Sequence, residues 1–268
     1  MTLRSRRLLP AAALAVVLVL TGCGGNDGAN GDGAGAAAGK DDRDSAATAG
    51  GPLTKDNFAQ RLAAAQVEAG SGHFTMTAGE GDQSVTSKGK FSFDDSGTPA
   101  SQMATEMGDV YSMDLVMTGG KLYLNMAALT ENKYVEVDLD EAAGEYGDLA
   151  DQSDPTHQLE LMQKSVTSFT EEGNGPTIDG VATTRYVVAL DTEKVLEGED
   201  ASQIEGTMPK TLTYELFVGA DDLVRRITYD LAGSTFIIDY TKWGEDVSIA
   251  APGKDQITDR DPFALPGS

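Results

Sequence analysis

The sequence predicts an α+β protein in which a curved antiparallel sheet carries helices packed on its concave face. Three observations predict it. Apolar residues at helical spacing from Phe58 to Ala69 give way, from His73, to a period of two. That alternation continues through short segments separated by Gly- and Asp-rich turns. A second amphipathic stripe near the middle of the chain then precedes a second run of alternating segments. The order helix, meander, helix, meander places about eight or nine strands around two or three helices.

The chain begins with Arg4, Arg6 and Arg7, followed by an apolar run from Leu8 to Leu20 and then Thr21-Gly22-Cys23. A basic head, a short apolar core and small residues before a cut form a secretory signal. The core is shorter than the ~20 residues that span a bilayer. Leu20-Thr21-Gly22-Cys23 looks like a bacterial lipobox. Cys23, the one cysteine of the chain, would then be acylated on sulfur and become the first mature residue. A secreted chain with a free thiol is the alternative. Residues 1–22 are thus read as a signal peptide and 23–53 as an acylated N-terminus and flexible tether. Gly24 to Gly51 is Gly, Ala, Asp and Ser with almost nothing to bury. As a flexible coil it has an r.m.s. reach of roughly 30 Å. The acidic and amide residues there lack the spacing and closing Glu of a calcium loop.

The ordered domain is expected over 54–251. Thr54 reads as an N-cap, with Phe58, Leu62, Ala65 and Ala69 on one helix face and Gly70 as the stop. Phe74, Met76 and Ala78 then alternate, followed by Val85, Ser87, Gly89, Phe91 and Phe93. Lys88 and Lys90 lie on the opposite side. Met103 to Met117 reads as one long segment with Tyr111, Met113, Leu115 and Met117 in alternation. Gly119-Gly120 signals a hairpin into Leu122, Leu124 and Met126, and Tyr134 to Val137 is a further strand. From Asp154-Pro155, Leu159, Met162, Val166 and Phe169 form a helical stripe ending over 171–175. Strands resume over 183–190, 211–218, 223–231 and 235–241. A short charged helix is expected within 191–203, and 252–268 should be a loose tail.

Composition excludes several functions. The formal net charge is −23, and −26 once the three arginines of the signal are removed. No basic stripe is available for nucleic acid or for a polybasic grip on anionic lipid heads. One cysteine permits neither an internal disulfide framework nor a thiolate metal site. His73 and His157 are far apart, and no nucleophile elbow, zinc-protease motif or phosphate loop is present. No catalytic residue, metal or other cofactor is expected. Asp221 and Asp222 read as turn chemistry rather than an acid pair. The methionines carry more information. Met113, Leu115, Met117, Leu122, Leu124 and Met126 should share facing strands, with Leu159, Met162, Val166 and Phe169 opposite. Thioethers suit surfaces that adapt to variable shapes, although an ordinary Met-filled core gives the same pattern.

The segment Tyr240-Thr241-Lys242-Trp243-Gly244, running on through Val247 and Ile249 to Ala251-Pro252, resembles the close of the LppX/LprG-type actinobacterial lipoproteins. Arg185 to Asp191, Phe217 to Ile227 and Lys121 to Asn125 are similar to other strands of that family, in the same order. The resemblance spans roughly Thr54 to Pro252. It implies a half-barrel similar to the LolA/LolB lipoprotein carriers, with an apolar cavity for the acyl chains of envelope lipids or lipoglycans. Leu212, Tyr214, Leu216, Phe236 and Ile238 join the residues above as candidate cavity lining. The expected protein is a monomeric, non-enzymatic lipoprotein on the extracytoplasmic face of the cell membrane, held by acylated Cys23. An accessory lipoprotein that recruits an envelope protein partner and holds no ligand is the alternative.

Overall fold

The computed structural model describes residues 51–79, 84–94, 97–107, 111–139, 163–195, 209–231 and 233–260. The lipobox, most of the tether, and Leu159 and Met162 lie outside the described residues.

The strands are β1 (Ser71–Ala78), β2 (Val85–Phe93), β3 (Pro99–Met107), β4 (Tyr111–Thr118), β5 (Lys121–Asn125), β6 (Tyr134–Asp138), β7 (Val166–Asn174), β8 (Thr183–Asp191), β9 (Thr211–Gly219), β10 (Val224–Leu231), β11 (Ser234–Thr241) and β12 (Ile257–Thr258). They form one open, curved twelve-stranded sheet in the order β12-β6-β5-β4-β3-β2-β1-β11-β10-β9-β8-β7. Two meanders, β1 to β6 and β7 to β11, are joined where β1 pairs antiparallel with β11. Every pairing is antiparallel except that of β12 with β6.

Helix α1 spans Phe58–Ala69. It starts later than Thr54, because Asn57 takes the N-cap position and its Oδ1 accepts the Thr54 N–H. Gly70 ends it in the left-handed region at φ 76°, where a side chain would be strained. The buried side chains Phe58, Ala59 and Leu62 join the cluster formed by Phe74, Met76, Phe91, Tyr186, Ile227 and Ile238. The helix is therefore packed against the apolar side of the sheet. Phe58 stacks on Phe169, with ring centroids 4.7 Å apart, and Phe169 on Tyr186 at 5.1 Å. Arg61 holds both carboxylate oxygens of Asp222, at 2.6 to 2.9 Å, tying α1 to the turn between β9 and β10. Asp221 bonds Arg225 in the same turn. The acidic pair is spent on turn and helix anchoring, as turn chemistry requires.

Three expectations are corrected. Val166 and Phe169 do not lie on a helix: they sit on β7, at the end of the sheet, paired with Leu190 and Val188. β-Branched and aromatic residues at 166, 167, 169 and 170 favour the extended form. The long segment from Met103 is two strands, and Met107 opposes Tyr111 across them. The tail is docked as far as Thr258, where Ile257 and Thr258 pair with Tyr134 and Val135. The helix expected after Asp191 begins as α2 (Thr192–Val195).

Close packing gives a direct test. A Cβ on Gly89 would collide with the Phe74 ring and lie 2.6 Å from the Gln102 carbonyl oxygen. Gly89→Ala should therefore destabilise the domain by about 1–3 kcal/mol, the usual cost of overpacking. Phe58→Ala should cost about 3–5 kcal/mol through loss of the ring and the cavity left behind. Urea unfolding followed by circular dichroism measures both.

Candidate functional site: the apolar face of the sheet

Directly opposed residues in an antiparallel sheet share a face. The register therefore traces rows of side chains across it. One row runs Met113, Thr105, Ser87, Met76, Ile238, Ile227, Leu216, Tyr186. The next runs Val135, Leu124, Leu115, Met103, Gly89, Phe74, Tyr240. A third runs Val137, Leu122, Met117, Ser101, Phe91. A fourth, beyond Tyr186, runs Val85, Ala78, Phe236, Tyr229, Tyr214, Val188, Phe169. The face is apolar from β6 to β7. Among its few polar groups, the buried Ser87 and Thr105 hydroxyls bond each other at 2.8 Å.

The opposite face carries ion pairs, although Val116, Tyr123 and Phe217 on that side are also buried. Arg185 pairs with Glu215, Arg226 with Asp239 and Lys121 with Glu136. Each partner is about a third exposed, so these pairs add little stability. They mark which side of the sheet faces water.

The apolar face has two zones. In the first, β7 to β11 with β1 and β2 pack against α1 in a single buried cluster. Of the residues expected to line a cavity, Val166, Leu212, Tyr214, Leu216 and Ile238 are buried in that cluster, with Phe169 and Phe236 at its margin. In the second zone, on β4 and β5, Leu122 and Leu124 are buried without belonging to that cluster. Met113, Leu115 and Met117 are half-buried on the facing strand. Met126 lies just past β5 and is half-buried, its N–H donated to Thr130 Oγ1. Between the zones, Ser87, Gly89, Ser101 and Thr105 on β2 and β3 are small, and Met103 among them packs against the first cluster. Met113, Met117 and Met126 therefore fall together, beside the helix-packed half rather than beneath it.

Sequence reading missed the role of Met103, Val135 and Val137, which the register places in the same rows. Their alternation was present, but β3 and β6 are too short or too mixed to display it. It also missed the loop 126–133. There Ala127, Glu131 and Asn132 have positive φ, Thr130 is fully buried, and Leu129 is half exposed. Among the described residues no group of three or more His, Cys, Asp or Glu could hold a metal, and no helix is long and apolar enough to cross a membrane.

Burial governs the tyrosines on this face. It pushes the Tyr229 phenol up to about 12. It raises Tyr214 and Tyr240 further, with the neighbouring Tyr229 adding to both.

The model of a family of unknown function, DUF7537, matches residues 8–259. No curated protein matches. Among solved structures, the chain is similar to LprF from Mycobacterium bovis, at 18% identity and a TM-score of 0.48, covering 74% of this chain and 96% of that one. It is similar to the lipoprotein LppX from Mycobacterium tuberculosis, at 15% identity and a TM-score of 0.47, covering 71% and 98%. It is also similar to MucB in complex with MucA(peri), at 14% identity and a TM-score of 0.43, covering 80% and 65%. LprF and LppX are of the lipoprotein type that the sequence resembles.

The tyrosines predict an alkaline limit. A phenol whose folded value lies above its unfolded value of about 10 contributes stability in full below pH 10. That contribution is lost as pH rises through the folded values. Phenolate absorbance of the native protein should therefore rise only in part near pH 10. Release of the buried phenols should coincide with unfolding near pH 12, followed by circular dichroism in the same titration.

Proposed function

The chain belongs to the DUF7537 family, and we propose that it is a membrane-anchored lipoprotein that binds and carries or chaperones acylated envelope lipids or lipoglycans. In this reading Cys23 is the acylated anchor, residues 24–51 are the tether, and the sheet domain carries cargo at the extracytoplasmic surface. The observation that carries the reading is the division of the apolar face. One half is packed under α1, and the other presents Met113, Leu115, Met117, Leu122 and Leu124 beside the small residues of β2 and β3. Helices on the concave face would complete an apolar cavity over that second half. Hydrocarbon entering it gains about 0.8 kcal/mol per buried methylene, so a dozen methylenes suffice for firm binding without polar contacts. Thioethers let the wall fit chains of differing shape. No step in this function requires catalysis.

A second reading, recruitment of an envelope protein partner without a ligand, is favoured by strand β7. It closes one end of the sheet order, pairs among the described residues with β8 alone and is exposed along most of its length. Such an edge can accept an added strand.

Two substitutions test the carrier reading. Met113→Trp and Leu124→Trp fill the second zone and should lower uptake of a fluorescent long-chain acyl probe at least tenfold, with the far-UV spectrum retained. Unchanged uptake in both folded variants would contradict the assigned lining. Cys23→Ser should move the protein from the detergent phase to the aqueous phase in a Triton X-114 partition; retention in the detergent phase would contradict the anchor.

A further inference from the structure

Tyr214 and Tyr229 oppose each other on β9 and β10, and Tyr229 opposes Phe236 on β11. Their rings are in contact, with centroids 4.8 Å and 4.9 Å apart. Each tyrosine is only 4% exposed. A buried tyrosine ordinarily finds an acceptor for its O–H, because an unmet donor in apolar surroundings is costly. Among the described residues neither hydroxyl has a hydrogen-bond partner. Each ring is thus packed while its hydroxyl has no acceptor among the described residues.

The rest of the row is neutral. Val85, Ala78 and Phe236 lie to one side, Val188 and Phe169 to the other. A carboxylate or phosphate placed there would have no cation to meet it in the row, so two neutral donors in an apolar wall select a neutral acceptor. The phenols stay protonated well beyond neutral pH, so they are donors under all ordinary conditions.

We propose that the Tyr214 and Tyr229 hydroxyls donate hydrogen bonds to the ester carbonyls of an acylated ligand whose hydrocarbon lies along the apolar face. This rests on the carrier reading and adds a selectivity to it: the site distinguishes an acyl ester from an alkyl chain of the same length. The tyrosines would mark where the polar junction of the lipid stops, with its chains directed over the methionine zone.

The test compares two probes that differ only at the carbonyl, 1,2-dioleoylglycerol and its dialkyl ether counterpart, 1,2-di-O-oleylglycerol. Binding to the delipidated full-length protein is measured for the wild type and for the Tyr214→Phe/Tyr229→Phe double variant, which keeps both rings. The wild type should bind the ester about fivefold to tenfold tighter than the ether, as expected for one to two net hydrogen bonds. The double variant should lose that preference and bind the two probes about equally. Should the double variant melt early, each single Phe variant gives the same readout at about half the effect. Equal binding of the two probes by the wild type, or a preference that survives the substitutions, would overturn the tyrosine assignment while leaving the carrier reading in place. Failure of the wild type to bind either probe would overturn both.

Discussion

A twelve-stranded open sheet has to cover one apolar face, and that constraint shapes the rest of this protein. The register carries apolar rows from β6 to β7 with few interruptions. Left in water, a face of this size would drive aggregation rather than folding. Helix α1 meets part of the requirement through the stack of Phe58 on Phe169 on Tyr186 and the insertion of Leu62, which is wholly buried. The bidentate Arg61–Asp222 pair then fixes where the helix sits. One helix of 12 residues cannot cover the whole sheet, and Met113 and Met117 lie on the part outside its cluster.

The sheet's edges obey a related rule. β12 pairs with part of β6, using two residues of the C-terminal segment, and Arg260 reaches Glu131 to hold that segment down. At the far end, β7 carries register shifts between Val166 and Ser168 and between Glu171 and Asn174. Irregularity and acidic side chains at an edge oppose indiscriminate strand addition. The exterior ion pairs keep the back of the sheet soluble, and the net charge of −23 opposes self-association.

Most of the sheet was legible because its strands alternate strictly. Phe74 and Met76, Leu122 and Leu124, and the Gly119-Gly120 hairpin declare their faces without help from tertiary structure. β7 was not legible because its bulges remove the period of two, while Val166 and Phe169, three apart, mimic a helical stripe. β3 was hidden because its inner positions are Ser101, Met103 and Thr105, too polar to alternate visibly. β12 is two residues long and has no period at all. The candidate site was partly legible: the residues were identifiable as one apolar face, but its division into a helix-packed zone and a methionine zone depends on which strands α1 reaches. The unmet hydroxyls of Tyr214 and Tyr229 have no sequence signature, since a tyrosine on a buried face is as readily a partnered core residue.

The central claim is that the methionine zone of this face holds acyl chains. The most direct measurement is to purify the protein from a host that makes actinobacterial envelope lipids, extract it with organic solvent and weigh the extract by mass spectrometry. The account predicts an acylated species released in near-stoichiometric amount, distinct from any acyl group bonded to Cys23. A protein that releases no such species, and takes up none when acylated lipids are added, would contradict it.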